Sequence, residues 1–169
     1  MTKIASILFI LLLAVPAFSE EASCPHHTEH QKKVNERGDR VMGFDHEKTI
    51  HHFELKPDGG VIRAEAIDPN DGNSIESIRH HFVEISGLFS KGDFSMPAMI
   101  HDRIPPGVGV MKALKDEITF THHEIEKGSE VRIKTANPDA LKAIHDFLRF
   151  QIEDHGTGDS PTISSLILR

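Results

Sequence analysis

One stretch of the chain decides the fold, and it reads Thr49-Ile50-His51-His52-Phe53-Glu54-Leu55-Lys56-Pro57-Asp58-Gly59-Gly60-Val61-Ile62-Arg63-Ala64-Glu65-Ala66. Apolar and polar residues alternate from Phe53 to Lys56, which is the pattern of a strand with one buried face. The Pro-Asp-Gly-Gly sequence that follows is typical of a turn, and the alternation resumes after it. We therefore predict a β-hairpin in which His51 shares the buried face and His52 the exposed face.

A second hairpin of the same kind is predicted between Ile118 and Thr135, and it also contains two adjacent histidines, His122 and His123. Each hairpin is followed by an Asp-Pro or Asn-Pro step and then by apolar residues at helical spacing. A ββα unit used twice predicts an α+β fold, in which two helices cover one face of a four-stranded antiparallel sheet. If a twofold axis relates the halves, His51 and His122 are expected to approach each other there.

Capping and turn residues mark the ends of both predicted helices. Asn73 is predicted to cap the first helix and Gly92 to end it. Asn137 is predicted to cap the second helix, which runs to about His155 and stops at Gly156.

The sequence divides into four segments. Residues 1–19 contain Lys3 and then a short apolar run, which is typical of a secretory signal peptide. Residues 20–34 are polar and without periodicity, so we predict a disordered leader. Residues 35–156 are predicted to form a single domain and residues 157–169 a flexible tail. The protein is therefore expected to be exported to the periplasm or the extracellular space.

Composition and charge limit the classes of partner. The net charge of -7 argues against nucleic acid, and no second apolar stretch predicts stable membrane insertion after signal cleavage. A single cysteine excludes an intramolecular disulfide, and the oligomeric state stays open. The unusual feature is the number of histidines, 13 in all, every one of which lies downstream of the signal peptide.

Histidine placement predicts a transition-metal site, with copper or zinc as the ion. Neutral imidazole is a common metal ligand, and thioethers favour Cu(I). The leading donors are His51, His122 and His101. Further candidates in the hairpins and the loop after the first helix are His52, His123, Met96 and Met99, and the leader adds Cys24, His26, His27 and His30. The alternative is that inward histidines form hydrogen bonds at the rim of the core and outward ones are solvated.

The second predicted helix contains two histidines. His145 and His155 are ten positions apart, which places them about 80° apart around a helix and more than two turns along it. They are therefore not expected to share one metal ion, and His145 is expected to be a partly buried residue hydrogen-bonded to a neighbour.

Two other functions are consistent with the sequence. Residues 94–108 form a long irregular stretch, which would suit a non-catalytic module that binds a small ligand or a partner protein. A small enzyme would require a histidine and a carboxylate in a closed cleft, such as His101 with Asp102 or Asp45. The sequence contains no P-loop and no G-x-S-x-G motif.

A set of short motifs is distributed over residues 34–159, namely Val34-Asn35-x-Arg37-Gly38-Asp39, Met42-Gly43-Phe44-Asp45, His51-His52-Phe53, Asp58-Gly59-Gly60, Gly92-Asp93-Phe94, Ile100-His101, Pro105-Pro106-Gly107-Val108 and Ala143-Ile144-His145-Asp146-Phe147-Leu148-Arg149-Phe150-Gln151-Ile152-Glu153-Asp154-His155. In these motifs the chain resembles a family of small exported bacterial proteins without an established activity, some of which are labelled aspartate carbamoyltransferase-like. The Ser-Thr-Arg-Thr type of loop with which that enzyme binds carbamoyl phosphate does not occur in the sequence. The resemblance therefore bears on fold and export rather than on activity.

Overall fold

A computed structural model describes residues 25–163, and its architecture confirms the predicted α+β fold with a four-stranded antiparallel sheet. A 3-10 turn at Lys115–Glu117 precedes the third strand. In chain order the helices and strands are α1 (Pro25–Met42), β1 (Thr49–Lys56), β2 (Gly59–Ala66), α2 (Gly72–Ser90), α3 (Ser95–His101), α4 (Val108–Ala113), β3 (Ile118–Ile125), β4 (Gly128–Thr135) and α5 (Pro138–His155).

The sheet has the strand order β1-β2-β4-β3, so the two hairpins join through their second strands. His51 lies opposite Ala64 in one hairpin, and His122 lies opposite Val131 in the other. β1 and β3 are therefore the two edges of the sheet. The expectation that His51 and His122 approach each other is wrong, because two strands lie between theirs, a separation of about 14 Å at the usual strand spacing.

Both long helices of the ββα units, α2 and α5, pack on the same face of the sheet. Phe53 and Leu55 are buried on that face, as their alternation with polar residues predicts. The opposite face carries ion pairs between strands, such as Arg63 with Glu130 at 3.0 Å. The core thus lies between one face of the sheet and the helices, and it is here that His51 points.

The ends of α5 are confirmed, whereas the start of α2 is not as predicted. The side chain of Asn137 accepts hydrogen bonds from two backbone N–H groups, and Gly156 ends α5 in the left-handed conformation. At α2 the capping residue is Asp71 rather than Asn73. The Asp71 carboxylate accepts hydrogen bonds from the backbone N–H and the hydroxyl of Ser74, at 3.1 and 2.7 Å. It therefore supplies the capping hydrogen bond at the start of α2, and Asn73 lies inside the helix.

Two segments expected to be irregular are helical instead. Residues 25–34 of the predicted leader form the first part of α1, in which Val34 is fully buried. The stretch 94–108 contains α3 and the start of α4, which bury Ile100 and Val108. Arg37 of α1 donates to the carbonyl of Ile100 at 2.6 Å and so ties the two segments together. Packing against the rest of the fold stabilises these helices, and short segments show little periodicity of their own.

The first part of the predicted tail lies along the edge of the sheet. Asp159 accepts hydrogen bonds from the backbone N–H of Phe53 and from the ring of His52, both at 2.9 Å. Arg149 donates to the carbonyl of Pro161 at 3.1 Å. Residues 157–163 therefore cover β1, whereas residues 164–169 and the signal-peptide segment lie outside the described residues. Between residues 25 and 163, no helix has both the length and the apolar character needed to cross a membrane.

Gly107 provides a test of the packing between α4 and α5. It has a φ of +80°, and a Cβ at this position would collide with the backbone carbonyl of Ala143. We expect Gly107→Ala to lower the free energy of unfolding by about 3 kcal/mol, from backbone strain and overpacking together. Denaturation in urea measures this effect.

The matched control is Gly109→Ala two residues later, where a Cβ meets no atom within 4 Å. This change should leave stability the same or raise it by about 0.5 kcal/mol, because it stiffens the unfolded chain. Equal changes in the free energy of unfolding for the two substitutions would show that Gly107 does not lie in close contact with α5.

Candidate functional site

A small cavity of about 50 Å³ lies between the inner face of the sheet and the helices, close to β1. Its apolar lining comes from both hairpin and helix residues, among them Phe53 and Phe82. It differs from an ordinary core void because nitrogen and sulfur atoms also line it. These belong to four histidines, two methionines and one glutamine, namely His51, His81, His101, His155, Met42, Met96 and Gln151.

Each imidazole reaches the cavity from a different element. His51 lies on the inward-facing parity of β1, and His81 lies on the buried stripe of α2. His101 and His155 are the last residues of α3 and α5. The cavity is therefore assembled from residues that lie far apart along the chain.

Three of the four imidazole rings, those of His51, His101 and His155, are in contact. His155 stacks on His51 with 5.6 Å between ring centroids and meets His101 edge-on at 4.9 Å. Phe44 lies between the other pair, with its ring 5.5 Å from that of His51 and 5.7 Å from that of His81. The four imidazoles thus form one continuous cluster in which Phe44 links His81 to the rest.

Asp154 orients His101. The Nδ1 of His101 lies 2.5 Å from one carboxylate oxygen of Asp154, and the other oxygen accepts from His30 at 2.9 Å and from Arg103 at 2.7 Å. Burial acts to raise the pKa of Asp154, but the hydrogen bonds from the two histidines outweigh it and hold the pKa below its usual value. Asp154 is therefore an anion that accepts the Nδ1–H of His101, and this fixes the tautomer with an unprotonated Nε2.

Burial keeps the imidazoles of the cavity neutral. It lowers the pKa of His51 and that of His81 from 6.5 to about 4, with a smaller contribution from the neighbouring histidines. Burial followed by the charges of His51 and His101 lowers the pKa of His155 well below its ordinary value. The pKa of His101 is also lowered by burial, against the raising effect of Asp154. At neutral pH these rings are therefore neutral, which is the state in which an imidazole can bind a cation.

Gln151 has an unsatisfied polar atom at the cavity. Its side chain is 3% exposed, and its Nε2 is the single buried side-chain nitrogen or oxygen without a hydrogen-bond partner among the described residues. Its Oε1 lies 2.8 Å from Nε2 of His101. Because a neutral ring that carries its proton on Nδ1 has a lone pair on Nε2, that nitrogen needs a hydrogen-bond donor rather than an oxygen acceptor. Rotating the amide by 180° supplies that donor and leaves Oε1 unpaired instead. Either orientation leaves one buried polar atom free, at a cost of about 1–3 kcal/mol unless a bound group satisfies it.

The structure brings together some of the predicted ligands and separates the others. His51, His101 and Met96 line the cavity. His30 lies behind His101, on the far oxygen of Asp154. The rest point elsewhere: His122 lies 2.6 Å from the hydroxyl of Ser129, His52 pairs with Asp159, and His123 and Met99 are exposed. Cys24 and the side chains of His26 and His27 are outside the part of the chain that the structure describes.

Sequence reasoning missed four residues of the cavity, namely His81, His155, Met42 and Gln151. A signal existed for His81, which falls on the apolar stripe of α2 between Ile78 and Ile85. His145 behaves as predicted: it is buried and its Nε2 contacts the carbonyls of Lys56 and Gly59 at 2.9 and 3.0 Å.

A larger depression adjoins the cavity on the side of α1. It encloses about 200 Å³, and Met42, His51 and His155 line both spaces. His46 lies in this depression and donates hydrogen bonds to the Asp39 carboxylate, from its backbone N–H at 2.9 Å and from its ring Nδ1 at 3.0 Å, with Asp45 nearby. Asp39, Asp45 and His46 are the one trio among the described histidine, cysteine and acidic residues whose donor atoms all lie within 4.8 Å. The imidazoles of the cavity are therefore less closely convergent than that surface trio.

Acidification should destabilise the protein through His51 and His81. Above about pH 6.5 both are neutral in the folded and unfolded states, and between pH 6.5 and 4 only the unfolded state takes up the protons. Stability should therefore fall across this window, by up to about 3 kcal/mol for the buried His81 and by less for the half-buried His51. Urea denaturation at a series of pH values measures the slope.

The double variant His51→Gln and His81→Gln should show a flatter dependence on pH, whereas His123→Gln, at an exposed position, should retain the wild-type slope. Equal slopes for all three proteins would contradict the burial of neutral imidazoles in the cavity.

Comparison of the chain with protein-family models, curated proteins and solved structures finds no match, so the function is argued from the geometry of this cavity.

Proposed function

We propose that the protein binds a transition-metal ion, copper or zinc, in the histidine-lined cavity. The observation that carries this proposal is the arrangement of His101, whose Nδ1 lies 2.5 Å from the Asp154 carboxylate. A histidine that binds a metal through one nitrogen commonly donates its other N–H to a carboxylate, which fixes the ring and raises its basicity. Nε2 of His101, the nitrogen that would bind the metal, lies 2.8 Å from the side-chain amide of Gln151 at the cavity wall, so a metal ion bound there would replace that contact.

The protonation state of the other rings supports the same proposal. A histidine must be neutral to coordinate a metal. Protons therefore compete with the metal for the ring nitrogens, and metal binding normally weakens as the pH falls. Because burial lowers the pKa of His51 and His81 to about 4, those rings need no deprotonation at neutral or mildly acidic pH. Metal binding would also offset part of the cost of placing two buried and two half-buried imidazoles around one cavity.

The size of the cavity favours an ion over an organic ligand. Sites for drug-sized molecules enclose about 300–1,000 Å³, whereas this cavity encloses about 50 Å³. A binding module for an organic ligand would therefore have to use a surface depression, such as the one beside His46, instead of the cavity.

A small enzyme is the second candidate, because His101 and Asp154 form a buried histidine–carboxylate pair. Such a pair is typical of general base catalysis. However, no serine, threonine, cysteine or lysine is among the described residues that line the cavity, so a protein nucleophile is absent from its wall. The observed donors support metal binding more directly than they support covalent catalysis.

We also propose that the protein acts after export, in the periplasm or outside the cell. The support is the pattern of residues 1–19, a basic residue followed by an apolar run and small residues. The leader would then supply auxiliary ligands from Cys24, His26 and His27, next to His30 at Asp154.

The test is an anaerobic titration of the tag-free chain from residue 20 onward with Cu(I), Cu(II) and Zn(II), followed by calorimetry and by competition with a chromophoric chelator. We expect one ion per chain with a dissociation constant below micromolar. His101→Ala and His155→Gln should each weaken binding by about 10–100-fold, as loss of a ligand or its support does.

The matched controls are His145→Gln, which removes a buried histidine away from the cavity, and His123→Ala, which removes an exposed one. Far-UV circular dichroism shows whether each variant is folded. Binding weaker than micromolar, or equal affinity for the cavity variants and the controls, would overturn the proposal.

A further inference from the structure

We infer that the cavity selects a soft monovalent cation, Cu(I), over Zn(II) and Cu(II). This inference rests on the proposed function and specifies its ligand. It draws on three properties of the cavity: its lack of anionic donors, its thioethers and the spacing of its nitrogens.

The first property is charge. No carboxylate is among the described residues lining the cavity. Asp154 contacts the lining residue His101, but this carboxylate is already hydrogen-bonded to His101, His30 and Arg103. The cost of burying an ion rises with the square of its charge, so a divalent ion costs roughly four times as much as a monovalent one of the same size. A wall of neutral donors therefore favours the monovalent ion.

The second property is the presence of sulfur. Met42, the last residue of α1, is 9% exposed, and Met96 in α3 is half-buried; both line the cavity. Thioethers are soft ligands that suit Cu(I), whereas zinc in proteins takes thiolate, imidazole and carboxylate. In contrast, Met99 on the same short helix is 53% exposed and is absent from the lining.

The third property is the number of nitrogens that approach one another. Within the described part of the chain, no three imidazoles of the cavity bring their nitrogens within 4.8 Å of one another. Structural zinc requires four donors in a tetrahedron. Cu(I) is satisfied by fewer donors, so two neighbouring imidazoles with one thioether suffice. Among the described residues, His101–His155 and His51–His155 are the pairs of cavity imidazoles whose rings are in contact, with centroids 4.9 and 5.6 Å apart.

The test compares the affinities of the chain from residue 20 onward for Cu(I), Ag(I), Cu(II) and Zn(II), where Ag(I) serves as a soft monovalent ion that does not change oxidation state. We expect Cu(I) and Ag(I) to bind at least about 100-fold more tightly than Zn(II) in the same competition format, a difference of about 2.7 kcal/mol. X-ray absorption at the copper edge should show sulfur together with nitrogen in the coordination shell.

The thioethers are tested by Met42→Leu and Met96→Leu, which conserve volume in the core. Each should weaken Cu(I) binding by about tenfold, which is about 1.4 kcal/mol, and leave Zn(II) binding unchanged. The matched control is Met99→Leu, which removes an exposed thioether of the same helix and should not affect either ion.

The outcomes separate this inference from the proposed function. Zn(II) binding at least as tight as Cu(I) and lost in His101→Ala would overturn the selectivity and leave the proposed function intact. Binding of none of the four ions would overturn both. Cu(I) affinity unchanged in the double Met42→Leu and Met96→Leu variant, without sulfur in the copper spectrum, would overturn the role of the thioethers.

Discussion

The buried hydrogen bond between Asp154 and His101 is the contact on which the rest of the cavity depends. Asp154 projects from α5, His101 ends α3, and the same carboxylate accepts from His30 of α1 and from Arg103. One anion thus joins the three helices α1, α3 and α5. Because Asp154 is charged and largely removed from water, the loss of any of its donors would leave part of that charge unsatisfied.

This arrangement has a cost in stability that the fold offsets through its core. Four neutral imidazoles and an unsatisfied amide line the cavity. Apolar side chains in their place would lose less hydration free energy on folding. The sheet and the helices α2 and α5 bury large aromatic and aliphatic side chains around it, including Phe82 and Phe147. A site that lowers stability in this way is typical of a functional position, and a bound cation would remove much of the cost.

Much of the fold followed from local patterns in the sequence, whereas most of the site did not. Alternation in β1 predicted correctly that His51 faces inward, and Asn137 and Gly156 marked the ends of α5. His155 and Met42 reach the cavity because of how α5 and α1 pack against each other and against the neighbouring helices, and no short-range pattern encodes that packing. The strand order likewise separates His51 from His122, since the two halves join through β2 and β4 rather than through β1 and β3.

Metal binding by the histidines of the cavity is tested most directly by nitrogen-15 NMR of the histidine side chains, recorded before and after addition of one equivalent of Cu(I). In the metal-free protein His101 should be the Nδ1–H tautomer, and the metal should then shift Nε2 of His101 together with the ring nitrogens of His155 or His51. His145 and His122 should not change. Shifts confined to His26, His27 and His30 of α1 or to His46 would contradict metal binding in the cavity.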